Sequence, residues 1–120
     1  MKLLSSILLI IVLLSSCSSS KTIYISNKTG SPITLLVDTS SNTTYSVAFK
    51  DSLNGLKIEK KKVFNFGKGK WRKEDKTSLE KLIQHTTLIK NGSRTAVDMP
   101  GKTKVSHISF NVEELWVNIK

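Results

Sequence analysis

The sequence predicts an all-β domain: a small sandwich of about seven to nine short strands, with one short helix near residues 77–85. Three observations predict it. Apolar residues alternate with polar ones over short runs along most of the chain. Clusters of Asn, Asp, Gly, Pro and Ser interrupt those runs every ~8–12 residues. The stretch from Thr77 to His85 breaks that alternation, with Leu79, Leu82 and Ile83 three and four apart.

Taken in order, Thr22-Ile23-Tyr24-Ile25-Ser26 alternates and ends in the turn signal Asn27-Lys28-Thr29-Gly30-Ser31-Pro32. Ile33, Leu35 and Val37 share one face of the next run, which Ser40 to Thr43 breaks. Tyr45, Val47 and Phe49 alternate again, so a third strand is expected there, followed by a turn at Asp51-Ser52-Leu53-Asn54-Gly55. Leu56 and Ile58, then Val63-Phe64-Asn65-Phe66, continue the period of two. In the exceptional segment Leu79, Leu82 and Ile83 fall on one helical face, and Thr77 with Glu80 matches a capping box. So short a helix needs a sheet to pack on.

Strands resume at Thr87 to Lys90 and Ser93 to Val97. The Asn91-Gly92 pair between them is a strong hairpin signal, because both residues accept positive φ. Met99-Pro100-Gly101-Lys102 is a turn. Val105 to Val112 follows, with Ile108, Phe110 and Val112 aligned, and then Leu115, Val117 and Ile119 on one face of the last strand. The turns Asn27 to Pro32 and Val97 to Lys102 resemble the strand-to-strand turns of bacterial immunoglobulin-like sandwiches. That resemblance implies a fold of this type and no particular function.

The N-terminus reads as a separate segment. Lys2 precedes an apolar stretch from Leu3 to Leu14, interrupted at Ser5 and Ser6. That is too short for a membrane span of about 20 residues and fits the h-region of a signal peptide, about 7–15 residues. Leu14-Ser15-Ser16-Cys17 resembles the lipobox of bacterial lipoproteins, and Cys17 is the only cysteine. The resemblance implies cleavage before Cys17, acylation of its thiol and new amino group, and attachment to a membrane. Residues 1–16 are then a signal peptide, residues 17–21 the lipidated cysteine and tether, and residues 22–120 a single domain. The implied location is the cell envelope. Ser18 rather than Asp after the cysteine favours the outer membrane in a diderm organism; otherwise the anchor lies on the outer face of the cytoplasmic membrane.

Composition sets further bounds. The chain has 19 Lys and Arg against 9 Asp and Glu, a net charge of +10, and no second cysteine for a disulfide. Eight of the basic residues form one run: Lys57, Lys60, Lys61, Lys62, Lys68, Lys70, Arg72 and Lys73, with Phe64, Phe66 and Trp71 interleaved. Cations beside aromatic rings suit an anionic glycan, a lipid headgroup or an acidic protein partner. Nucleic acid is not the expected partner outside the cytoplasm. A solvated edge with core aromatics would give the same run, since Phe64 and Phe66 share a face, and lysines also protect an edge strand from aggregation.

No catalytic residues and no cofactor are expected. Gly67-Lys68-Gly69-Lys70 lacks the spacing of a phosphate-binding loop. His85 and His107 have no carboxylate or thiolate at ligand spacing, so no metal is expected. His85 is expected to end the helix and His107 to lie on a polar strand face. Glu113 and Glu114 must point to opposite faces of a strand. Three Asn-x-Ser/Thr triplets, at Asn27, Asn42 and Asn91, read as turns. The sequence thus points to a lipid-anchored, non-catalytic binding module, or alternatively to an accessory subunit of an envelope complex docking through apolar strand edges or Trp116.

Overall fold

The computed structural model describes residues 19–40 and 43–120. The signal peptide, Cys17, Ser18 and Asn42 lie outside the described residues. The strands are β1 (Ser20–Asn27), β2 (Ile33–Val37), β3 (Lys57–Ile58), β4 (Lys61–Lys68), β5 (Thr86–Lys90), β6 (Ser93–Ala96), β7 (Thr103–Ile108) and β8 (Glu113–Ile119). Two helices accompany them, α1 (Val47–Leu53) and α2 (Lys73–Gln84). The strands form two four-stranded sheets, β4-β1-β8-β7 and β3-β2-β5-β6, so the fold is a small β-sandwich.

β1 and β8 run parallel at the centre of the first sheet; every other pairing is antiparallel. Alternation decides which residues meet. Ile23 and Ile25 of β1 and Leu115, Val117 and Ile119 of β8 are buried against Ile33, Leu35 and Val37 of β2. Each such side chain contributes about 1.5–3 kcal/mol relative to exposure. Asn91 (φ 53) and Gly92 (φ 78) make the two-residue turn between β5 and β6, with Lys90 opposite Ser93.

Three expectations are corrected. Where a strand is expected from Tyr45 through Lys50, the chain forms α1 from Val47, with Tyr45 just ahead of its cap. Tyr45, Phe49 and Leu53 recur every fourth residue and all are buried, while Val47 is 60% exposed. The Ser46 hydroxyl caps the helix by accepting from the Phe49 N–H at 3.2 Å. The second helix begins at Lys73, not Thr77. Its first turn is closed by Asp75, which accepts from the Arg72 N–H at 2.9 Å, while the Thr77 hydroxyl donates to the Lys73 carbonyl oxygen. Leu79, Leu82 and Ile83 do enter the core. Finally, β7 stops at Ile108. Phe110 sits on the following turn and is 83% exposed.

The helices fill the space that the sheets leave open. Phe49 packs edge-on against Phe64 and Phe66, and Phe66 against Trp71. The buried Tyr45 hydroxyl donates to the Asp75 carbonyl oxygen at 2.9 Å, tying the start of α1 to α2. Burial pushes the Tyr45 phenol above its ordinary range.

Candidate functional site

β1 gives the sandwich two ends: the near end, where β1 begins beside residue 19, and the far end, where it finishes at Asn27. β4 runs antiparallel to β1, so the basic run is divided between them. Lys61 lies opposite Ser26 at the far end and Lys68 opposite Ser20 at the near end. The separation is about 23 Å at ~3.3 Å per residue. Lys57 on β3 lies opposite Thr34, early in β2, and joins the far group. Lys70, Arg72 and Lys73 follow β4 and join the near group.

The far group forms a real concavity. Lys57, Glu59, Lys60, Lys61 and Lys62 line a shallow depression of about 340 Å³. Beside it lies the outer face of the first sheet, where Tyr24 and Trp116 stand directly across the parallel β1–β8 pair. Their rings stack at 4.3 Å with 5° between planes. The Lys61 ammonium lies 5.5 Å from the Tyr24 ring centre and 5.8 Å from that of Trp116, within cation–π range. The Trp116 indole N–H donates to the Glu114 carboxylate at 3.1 Å. Lysines and rings therefore share one surface through Lys61.

Asn27 fixes this end. Its amide nitrogen reaches the carbonyl oxygens of Ser31, Ile58 and Glu59 at 2.7, 3.0 and 3.1 Å. Its side-chain oxygen accepts from the Thr29 N–H and hydroxyl. The first sheet is thereby clamped to β3, which sets Lys57 beside Lys60. Asn27, the last residue of β1, is 9% exposed, and its side chain closes the turn that follows.

A second depression of about 340 Å³ opens at the same end. Its floor includes Ile33, Leu88 and Ile119, and Lys90, Lys102 and Lys120 reach it together with Asp98. The Lys90 ammonium donates to the Thr29 carbonyl oxygen at 3.3 Å. No local pattern in the sequence marks these lysines. They are scattered over 30 residues, and only the β2–β5 and β7–β8 registers bring them to one end.

Trp71 leaves the surface that the sequence suggests, whereas Arg72 stays exposed but paired. Trp71 is 6% exposed; its indole N–H donates to the Thr22 carbonyl oxygen and its backbone N–H to Glu113, both at 3.1 Å. The ring is core, with only the Lys21 ammonium over it at 4.7 Å. Arg72 is committed to Asp75, 3.4 Å away.

His107 also departs from expectation. It shares the face of β7 that carries Val105, part-exposed at the end of the strand, and its Nε2 lies 2.8 Å from a carboxylate oxygen of Glu113. The two are diagonal neighbours on the inner face of the β7–β8 hairpin, a relation invisible without the register. The His107 hydrogen bond holds the buried Glu113 carboxyl below the ordinary glutamate range, opposed by burial and helped by the Trp71 N–H and Lys70. Glu114 takes the opposite face, as alternation requires. His85 ends α2, its N–H donating to the Lys81 carbonyl oxygen. Among the described residues, no group of three or more His, Cys, Asp and Glu is placed to hold a metal ion.

Comparison with protein-family models, with characterised proteins and with solved structures finds no match to this chain.

Proposed function

We propose that the chain is a lipid-anchored protein of the cell envelope, held by Cys17, that binds an anionic envelope component without catalysing a reaction. The binding surface is the far end: Lys57, Lys60, Lys61 and Lys62 beside the Tyr24–Trp116 pair. The observation that carries this reading is the position of Lys61, at once in the basic depression and within 6 Å of both ring centres. An acidic glycan fits that chemistry best. Its carboxylates or phosphates meet the lysines, and its sugar rings meet the aromatic pair. An anchor on Cys17 supports the same orientation, because the described chain begins at the near end, which leaves the far end facing away from the membrane.

The test has two arms. Intact mass of the purified mature protein, beside a Cys17→Ala variant, reads the anchor: cleavage before Cys17 plus acyl chains is expected, and lost in the variant. Co-sedimentation with purified envelope at about 0.05 M and about 0.5 M salt reads the binding, which screening must weaken steeply.

A second reading, docking into an envelope protein complex, is favoured by one observation. Val63, directly across from Tyr24 on the edge strand β4, is 51% exposed and extends the aromatic pair into an apolar strip. Association through that strip would survive salt and capture one protein rather than a polymer.

A further inference from the structure

We propose that the near end of the sandwich is a second, separate binding face that docks on the bilayer: Phe110 enters the boundary between headgroups and acyl chains, and Lys68, Lys70 and Lys73 meet anionic phospholipid headgroups. The inference rests on the reading of Cys17 as an acylated anchor.

Three observations carry it. The first is the exposure of Phe110, 83% on the turn between β7 and β8, with Ile108 beside it at 42%. A phenylalanine held out on a turn tip gains nothing from the core and is suited to an apolar boundary.

The second is chain geometry. β8 runs parallel to β1 with Glu113 opposite Lys21, so the turn that carries Phe110 lies at the end where the chain leaves toward Cys17. That exit is short. Ser20 already pairs with Lys68, and the Ser19 carbonyl oxygen accepts from the Gly69 N–H at 3.0 Å. The tether expected over residues 17–21 is therefore cut to the step from Cys17 to Ser19, which spans at most about 7 Å. Acyl chains on Cys17 draw this end of the domain to the headgroups.

The third is charge. Lys68 flanks Ser20, and Lys70 lies close enough to act on Glu113, the residue that follows the Phe110 turn. Of the acids nearby, Glu113 and Asp75 are buried and taken up by His107 and Arg72, and the half-buried Glu114 accepts from the Trp116 indole N–H, which leaves Glu74 exposed. The face is thus basic around an aromatic tip, and each basic residue near an anionic leaflet adds to its attraction.

The test uses the acylated mature protein in vesicles of phosphatidylglycerol and phosphatidylethanolamine. With Cys17 acylated, Ser109→Cys supplies a single thiol beside Phe110 for an environment-sensitive fluorophore, and Ser93→Cys supplies the control at the far end. Docking predicts a blue shift and strong quenching by shallow spin-labelled lipids at position 109, and neither at position 93. Equal quenching at the two positions overturns it. Intact mass reports acylation independently of the probe, so failure of the anchor is read separately. The Cys17→Ser chain added to the same vesicles isolates the face itself. Neutralising Lys68 and Lys70 to glutamine should weaken its binding about 30-fold, roughly fivefold for each cation, and Phe110→Ser should abolish the blue shift. Binding of the Cys17→Ser chain that is indifferent to these changes, or absent, contradicts the proposal.

Discussion

Tyr24 and Trp116 stack face to face at 4.3 Å across the central parallel strands, on the side of the first sheet turned away from the core. The pair stiffens the two strands that run the length of the domain and places aromatic surface beside Lys61. Trp116→Ala should lower stability by about 1–2 kcal/mol, the pair itself accounting for ~0.5–1.5. Lys61→Ala should stay within about 0.5 kcal/mol of the parent. Urea midpoints of the two variants check both. Polyanion binding should fall in each, which separates a loss of contact from a loss of fold.

Asn27 should matter more than its turn position suggests. Its amide bridges three carbonyl oxygens on two segments, and removing it takes this donor from the buried Ile58 carbonyl and the part-buried Glu59 carbonyl, while Ser31 keeps the Thr29 hydroxyl. Asn27→Ala should cost about 2–3 kcal/mol, at the upper end for an unsatisfied buried group. A thermal melt reads the loss.

Glu113 gives the domain an acid-sensitive limb. Its carboxyl is depressed in the folded state, so the stability it contributes is fully present above its unfolded pKa of 4.5 and is lost as pH falls through the lower folded value. Stability should hold near neutrality and decline below about pH 4.5. Glu113→Gln should be less stable at neutral pH and show a shallower acid decline. Urea unfolding at several pH values measures the slope, and parallel slopes for parent and variant would rule out this origin.

Much of the framework is written locally. Ile33, Leu35 and Val37 display the inner face of β2 by alternation alone, Asn91-Gly92 fixes a hairpin, and Leu79, Leu82 and Ile83 mark the buried side of α2. Errors arise where two periods coexist. Tyr45, Val47 and Phe49 satisfy a period of two, yet Tyr45, Phe49 and Leu53 satisfy a helical spacing, and the Ser46 cap decides between them. Phe110 reads as core because it aligns with Ile108 and Val112, but the strand ends before it.

The site was legible as composition and not as geometry. Lys57 to Lys73 reads as one basic run, although β4 carries its halves to opposite ends of the sandwich. Trp71 reads as a binding ring, whereas Glu113, 42 residues away, takes its backbone N–H and secures it inside. Lys90, Lys102 and Lys120 come together only through long-range registers. Pairing across sheets leaves no local trace in a single chain.

The helix junction should be separable from the site. Tyr45→Phe removes one buried hydrogen bond between the start of α1 and α2 and should cost about 1 kcal/mol. Affinity for a polyanion at the far end should be unchanged, as titration of this variant against the parent would show.

The most direct test compares the two halves of the basic run in binding a purified uronic-acid polysaccharide at low salt. One variant carries Lys57→Gln, Lys60→Gln, Lys61→Gln and Lys62→Gln; the other carries Lys68→Gln, Lys70→Gln and Lys73→Gln. The first should lose more than about tenfold in affinity, ~1.4 kcal/mol or more, while the second stays close to the parent. Equal losses in both variants, or a loss confined to the second, would contradict a binding surface at the far end.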